Sequence, residues 1–281
     1  MVSGKARLAG VVGWPVAHSA SPRLHNYWLE RLSIDGAYVP LAVRPEDFAE
    51  ALRLLPRMGF AGVNVTVPHK EAALAAVDEA EPLARSIGAV NTVVVRPDGG
   101  LLGRNTDAFG FLENLRSGAP HWHPAHKPAV VVGAGGAARA VCVALLDAGV
   151  PEIRLVNRTA GRAEALADAL GEQIILVPWA ERAAALDRAA LLVNATTLGM
   201  EGQPPLDLDL GGLAPDAVVT DVVYTPLETP LLEAAAARGN PTVDGLGMLI
   251  HQARPGFEAW FGVAPEVTPE LRAFLAQALA S

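Results

Sequence analysis

The residues that carry most chemistry in this sequence form a glycine-rich turn, Gly133-Ala134-Gly135-Gly136-Ala137-Ala138-Arg139, directly after the apolar run Ala129 to Val132. A turn of this kind between a strand and a helix binds a pyrophosphate. The first glycine allows the tight turn, Gly135 lets the backbone approach the ligand, and Ala138 lets the helix pack on the strand. Free N–H groups at the helix N-terminus complete the anion site. The next strand ends in Asn157-Arg158-Thr159. A site for NAD usually places an Asp or Glu about 20 residues on, where it accepts from the ribose hydroxyls. Here a guanidinium stands in place of the carboxylate. Arg158 can hold a 2′-phosphate through two parallel bonds, with Asn157 and Thr159 as neutral donors beside it, so the expected cofactor is NADP. The plain alternative is a tight turn with a surface arginine. Arg162, one helical turn on, reads equally as a second phosphate ligand or as a solvated helix charge.

A second set of polar residues interrupts the first hundred positions where packing alone would not ask for them. Ser19 and Ser21 sit at the first strand-to-helix turn, Asn64 and Thr66 alternate within an apolar strand, and Lys70 falls in the first turn of the next helix. In Rossmann-like sheets ligands collect at the carboxyl ends of strands, and all five residues are placed there. Period-two spacing puts Asn64 and Thr66 on one face. Lys70 opposes the helix dipole, which favours anions at that end, and such a cost hints at function. Its alternative is a surface lysine with its stem folded on the helix.

These residues need two frames to hold them. With 281 residues and 51% hydrophobic content, the chain is long enough for two domains. A net charge of −8 without any basic block excludes nucleic acid and anionic membranes as expected partners. The single cysteine, Cys142, falls in the apolar helix after the glycine turn. It excludes an internal disulfide and reads as core rather than as a thiol nucleophile. No charged-then-apolar leader and no membrane-length apolar run is evident, so the expected location is cytoplasmic.

Strands are expected at Ala6 to Gly13, Tyr38 to Val43 and Gly62 to Val67, with helices at Pro22 to Leu32, Pro45 to Leu55 and Pro68 to Ala80. Ser21 is a good N-cap and Pro22 suits the first helical position. Ala89 to Val95 and Gly100 to Gly103 bracket a hairpin turn, placed at one end of a mixed sheet. After a helix from Asp107 to Leu115, residues 117–128 read as a boundary loop. Its His121, His123 and His126 lack an interspersed Cys or carboxylate, so a solvated loop is expected rather than a metal site. Strands at 129–132, 153–157, 174–177, 190–194 and 217–222 then alternate with helices at 136–148 and 160–170, which gives a doubly wound parallel sheet. Helices at 246–260 and 268–280 end the chain.

At this point the sequence resembles the shikimate dehydrogenase family over nearly its whole length. The resemblance is carried by Gly13 to Pro22, Asn64 to Lys70, Gly88 to Thr92, Asn105 to Asp107, the glycine turn, Asn157 to Thr159, Asn194 to Thr196, Asp221 to Tyr224 and Asp244 to Leu249 ending at Gln252. It implies an α/β fold of two domains. A mixed α/β substrate domain, residues 1–107 plus 245–281, includes C-terminal helices that return to it, and a Rossmann-type NADP domain covers 108–244. The ligand site is implied to lie in the cleft between them.

The reaction implied is reversible hydride transfer that interconverts 3-dehydroshikimate and shikimate, a step of aromatic amino acid biosynthesis towards chorismate. Ser19 and Ser21 are implied to hold the substrate carboxylate with help from Tyr224, although Ser21 also reads as a pure N-cap. Asn64, Thr66, Asn91, Asp107 and Gln252 are implied to read the ring hydroxyls beside Lys70. A site of this kind rejects an analogue lacking one hydroxyl, because a buried polar group is left unpaired. Lys70 and Asp107 are assigned the proton, with Lys70 as general acid in ketone reduction and Asp107 orienting it. Gly133, Ala134, Gly135, Gly136, Ala137, Asn157, Arg158, Thr159, Arg162, Val222 and Gly245 are assigned to NADP. Gly245 also reads as a simple interdomain turn. The expected partners are small molecules, and the chain is expected as a monomer or homodimer. The alternatives are a quinate/shikimate dehydrogenase that uses NAD and a nucleotide-sensing protein that has lost turnover.

Overall fold

The computed structural model describes residues 2–124 and 127–279, so His126 lies outside the described residues. The chain divides into two compact units, Met1–Thr106 with Gln252–Ala278, and Asp107–His251 with Leu279–Ser281. The second crossing falls inside a helix, seven residues beyond the point where the glycines at 245 and 247 suggested it.

The first unit is built on a six-stranded mixed sheet: β1 (Arg7–Gly13), β2 (Gly36–Ala42), β3 (Phe60–Val65), β4 (Glu79–Ala80), β5 (Thr92–Val95) and β6 (Leu101–Arg104), in the order β2-β1-β3-β5-β6-β4. β1 runs parallel to β2 and β3, while β5 is antiparallel to both β3 and β6. Its N-terminal segment carries, among the described residues, the helices α1 (Ser21–Arg31), α2 (Phe48–Leu54), α3 (Lys70–Ala76) and α4 (Pro82–Ile87). A core of Phe48, Leu52, Leu55, Val63, Val65 and Val93 packs around β3 and β5. Gly62 has a φ of 155°, and a Cβ there would collide with the Val93 carbonyl and the Trp260 indole, so only glycine fits. Trp260 itself donates from Nε1 to the Val93 carbonyl at 3.0 Å.

Several expectations need correcting in this unit. α3 stops at Ala76, because the following residues leave it to join the sheet. Asp78 N–H donates to the Leu101 carbonyl, Asp78 Oδ2 accepts from Leu101 N–H at 2.7 Å, and Glu79–Ala80 then pair with β6. The hairpin of β5 and β6 is therefore not at the sheet end, since β4 lies outside it. Ser21 is not the N-cap of α1. Ala20 already has helical angles, φ −82° and ψ −7°, so the helix starts at Ser21 and no side chain caps it. Residues 45–47 form a 3-10 turn before α2. β3 ends at Val65, so Thr66 sits just past the strand, where its N–H still reaches the Val12 carbonyl.

The second unit opens with α5 (Asp107–Gly118) and alternates β7 (Ala129–Val132), α6 (Gly136–Asp147), β8 (Ile153–Val156), α7 (Ala160–Leu170) and β9 (Ile174–Val177). β10 (Leu191–Asn194), β11 (Val218–Asp221), α8 (Pro230–Ala237) and β12 (Thr242–Val243) follow. All five strand pairs are parallel, in the order β12-β11-β10-β7-β8-β9. The order reverses between β7 and β10, the point outside whose carboxyl ends such sheets bind ligands. α8 and β12 were not expected. Pro230 opens α8 and the Thr229 hydroxyl caps it by accepting from Leu232 N–H. α9 (Leu246–Phe261) carries the chain back to the first unit, and α10 (Pro269–Leu279) follows.

Candidate active site

In the first unit the sequence places polar side chains along the carboxyl ends of β1 and β3 and the antiparallel strand beside them. Asn64, next to last in β3, faces Thr92 of β5 across the sheet. Its Nδ2 donates to the Asn91 carbonyl at 3.2 Å and to Thr92 Oγ1 at 3.1 Å. Its Oδ1 accepts from the Tyr38 hydroxyl at 2.6 Å. Thr92 Oγ1 donates to Asn91 Oδ1, which also accepts from Thr106 N–H at 2.8 Å. Asn91 Nδ2 donates to Thr106 Oγ1 at 3.0 Å and to Gln252 Oε1 at 3.4 Å. Asn64, Asn91 and Gln252, three of the residues assigned to the substrate, thus belong to one continuous network, in which Asn64 and Asn91 are buried and Gln252 is partly exposed.

Ser19 and Ser21 sit together after β1, and Ser19 Oγ accepts from Ser21 N–H at 3.3 Å. The methyl group of Thr66 packs where a side chain at Gly13 would stand. Lys70 is the first residue of α3, and His69 before it stacks on Phe48 and bonds the Val43 carbonyl at 2.8 Å. His69 therefore anchors the start of the lysine-bearing helix.

Sequence reasoning missed Tyr38, His25, Thr92 and Thr106. Tyr38 and His25 are almost fully buried, and their rings stack in parallel. Burial pushes His25 down to about 3, and the neighbouring Asn64 side chain offsets only part of that effect. Neither ring nitrogen has a well-formed hydrogen bond among the described residues. Burial likewise raises Tyr38 well above the usual tyrosine range, opposed by a bond with the Ser21 hydroxyl. The available signal was a polar ring at helical spacing on the apolar face of α1.

In the second unit, Gly133 has a φ of 119°, and a Cβ there would press on the Ala195 carbonyl at 2.8 Å. Gly135 and Gly136 face open space, and the first turn of α6 has neither a side-chain cap nor an acidic residue. Bare N–H groups in front of two side-chain-free residues suit a diphosphate. Ala134 and Ala137 flank them, partly exposed, while Ala138 is buried against the sheet. At the end of β8, Asn157 Nδ2 holds the Thr159 carbonyl at 2.8 Å, which shapes the loop bearing the exposed Arg158. Arg162 is exposed in the first turn of α7, whose N-cap Thr159 makes no side-chain cap bond. The residues present therefore fit NADP at both its diphosphate and its 2′-phosphate.

Asp221 organises the carboxyl ends of β10 and β11. It accepts from Asn194 Nδ2 on both oxygens, from Val223 N–H at 2.9 Å and from Thr229 Oγ1 at 2.8 Å. Asn194 Nδ2 also donates to the Leu198 carbonyl, and its Oδ1 accepts from both Thr196 donors. This network sets the loop that carries Val222 and Tyr224. Burial raises both Asp221 and Tyr224 above their ordinary ranges. A Cβ on Gly245 would stand 2.5 Å from the carbonyls of Val222 and Val223, so packing within the unit requires that glycine. Asp107 begins α5 and is buried. Among the described residues, no group of three His, Cys, Asp or Glu side chains could hold a metal ion.

Comparison with known proteins identifies the family. Family models match in chain order: a shikimate dehydrogenase substrate binding domain over residues 11–93, a shikimate/quinate 5-dehydrogenase over 120–199, and a shikimate 5′-dehydrogenase C-terminal domain over 245–269. A shikimate dehydrogenase (NADP(+)) of Paramagnetospirillum magneticum is 66% identical over 274 residues, covering 98% of this chain and 99% of its own. The crystal structure of shikimate 5-dehydrogenase from Thermus thermophilus, in complex with NADP(H) and shikimate, is 41% identical with a TM-score of 0.85. It covers 97% of this chain and 99% of its own. Quinate dehydrogenase from Corynebacterium glutamicum in complex with NAD is 34% identical with a TM-score of 0.89, covering 96% and 99%. With matches of this identity over nearly its full length, the chain belongs to the shikimate dehydrogenase family.

Proposed function

We propose that this chain catalyses the NADP-dependent, reversible reduction of 3-dehydroshikimate to shikimate, with Lys70 and Asp107 managing the proton. The observation that carries the reading is the amide and hydroxyl network that runs from the buried Asn64 and Asn91 to the partly exposed Gln252, which suits a ring bearing several hydroxyls. It stands in a chain whose other unit offers an uncapped α6 and the Arg158 loop.

NADPH supplies the hydride for the carbonyl carbon when bound, and NADP accepts it in the reverse direction. The protein must then orient the substrate and move one proton. Ser19 and Ser21 hold the carboxylate through hydroxyl donors, with the Tyr224 hydroxyl as a further donor. Asn64, Thr66, Asn91 and Gln252 fix the ring by its hydroxyls. In reduction, Lys70 Nζ gives its proton to the oxygen that becomes the 3-hydroxyl, and Asp107 orients the ammonium and the substrate hydroxyl beside it. In oxidation the same pair removes the hydroxyl proton as the hydride departs. Gly133 to Ala137, Asn157 to Thr159, Arg162, Val222 and Gly245 line the cofactor's place. A cytoplasmic location is part of the same proposal and agrees with a lone buried thiol, Cys142, which burial pushes up to about 12.

The likeness to a quinate dehydrogenase bound to NAD makes substrate and cofactor choice the decisive measurement. Reduced nicotinamide is followed with shikimate or quinate, each with NADP or NAD. Turnover mainly with shikimate and NADP is expected; comparable turnover with quinate or NAD would move the assignment to the broader enzyme. Lys70→Ala is expected to lower kcat by at least a hundredfold while leaving the KM for NADP unchanged. Retained kcat with weakened NADP binding would remove Lys70 from the proton transfer.

A further inference from the structure

We infer that Tyr38 is a positioning residue for substrate recognition, and that with Thr92 it fixes Asn64 as a hydrogen-bond acceptor towards the substrate. The inference rests on the reading of Asn64 as a substrate contact. An asparagine amide offers two N–H donors and an oxygen with two lone pairs. Which end of Asn64 faces which neighbour follows from groups that can act in one way only. The Asn91 backbone carbonyl can only accept, so the atom 3.2 Å from it is Nδ2. The second hydrogen of that nitrogen goes to Thr92 Oγ1 at 3.1 Å. Thr92 is itself held in the accepting sense. Thr106 N–H can only donate, which identifies the Asn91 atom it meets as Oδ1, and the Thr92 hydroxyl directs its own proton to that oxygen at 3.0 Å or to Thr106 Oγ1 at 3.3 Å, in either case away from Asn64.

Both donors of Asn64 are therefore used within the protein. Its Oδ1 takes one proton, from the Tyr38 hydroxyl at 2.6 Å. The His25 imidazole also lies beside the Asn64 side chain but makes no well-formed hydrogen bond to it, so one lone pair of Oδ1 remains for a ligand. Asn64 consequently meets the substrate as an acceptor, and the ring hydroxyl it reads must donate. Tyr38 lies on β2 and reaches Asn64 on the far side of β1, so the bond ties the orientation of the amide to the packing of the sheet. The Tyr38 hydroxyl has no room to act otherwise. Its ring is clamped face to face against His25 at 3.9 Å.

Removing only the phenolic oxygen, by Tyr38→Phe, leaves the stacked ring and frees the Asn64 amide to turn. The test is a double-mutant cycle with Asn64→Ala, read as the KM for shikimate and the KM for NADP in each of the four proteins. Tyr38→Phe is expected to raise the shikimate KM about tenfold, the scale of one buried hydrogen bond, and to leave the NADP KM unchanged. In the Asn64→Ala background the same change is expected to add less than twofold. Full additivity overturns the inference, because Tyr38 then acts by some route other than Asn64. An unchanged shikimate KM in Asn64→Ala alone overturns the underlying reading of Asn64, a distinct failure. Thr92→Val, which keeps shape and removes the hydroxyl, provides a second route if Tyr38→Phe does not fold. It is expected to raise the shikimate KM and spare that for NADP, and an unchanged shikimate KM would count against the proposal.

Discussion

The rings of His25 and Tyr38 lie parallel, with centroids 3.9 Å apart and planes 1° from coplanar, inside a cluster closed by Trp28, Phe257 and Trp260. An imidazole in this setting must remain neutral, and burial holds His25 down at about 3. Between that value and the ordinary 6.5, the unfolded chain takes up a proton that the native chain does not. Stability is therefore full above about pH 6.5 and falls as the pH drops through the window, by up to about 1.4 kcal/mol per unit. His25→Phe keeps a flat ring against Tyr38 and removes the titration. The midpoint of acid unfolding, followed by tryptophan fluorescence, is expected to move to lower pH in this variant. An unchanged midpoint would assign the acid limb to other groups.

Asp221 gives a case in which charge and hydrogen bonding oppose each other. Burial raises its carboxyl, so the native state holds that proton more firmly than the unfolded chain, and stability declines as the pH rises from the ordinary Asp value through the raised one. On that ground alone, Asp221→Asn would stabilise. The donors decide otherwise. Asn194 Nδ2 meets both carboxylate oxygens, and Val223 N–H and Thr229 Oγ1 take one each, so an amide NH2 would face the Asn194 donor at close range. A buried donor left unmatched costs about 1–3 kcal/mol. Asp221→Asn is expected to lower the Tm by several degrees and to weaken NADP binding, since the Val222 loop loses its anchor. A calorimetric Tm equal to or above that of the parent protein would show that relief of the buried charge is the larger effect.

The cofactor unit was the more legible part of the sequence. Its strands are short, apolar and separated by turn residues, so periodicity placed β7 to β11 within a residue or two. The first unit was read less well, because tertiary pairing overrode local pattern. Glu79–Ala80 carries a helical signal and yet joins β6 through Asp78 and Leu101. Ser21 looks like a cap, but the chain winds into a turn two residues earlier, where Ser19 N–H reaches the Val16 carbonyl. Tyr38 opens an expected strand, where an aromatic ring is ordinary and carries no functional signal. Its meaning comes from Asn64, which lies 26 residues away, and no local spacing reports that contact. Ser19, Ser21, Asn64, Thr66 and Lys70 are visible as polar interruptions, whereas Asn91, Asp107, Tyr224 and Gln252 come only from the family resemblance, and the side chains that orient them are not visible at all.

Arg158 offers the sharpest separation between a site residue and a structural one. It is exposed at the end of β8, in a loop whose shape is held by Asn157 Nδ2 on the Thr159 carbonyl rather than by the guanidinium. Its removal should leave the fold intact. A charge-assisted contact with the 2′-phosphate contributes roughly 1.5–3 kcal/mol, so Arg158→Ala is expected to weaken NADP binding about tenfold to a hundredfold. NAD lacks that phosphate, and its affinity should barely change. The measurement is the dissociation constant of each cofactor by titration calorimetry, together with the Tm. Equal weakening of NADP and NAD would make the arginine a scaffold for the loop. Arg162→Ala, one turn along α7, separates its two readings in the same assay: a phosphate ligand lowers NADP affinity selectively, whereas a solvated helix charge leaves both cofactors unaffected.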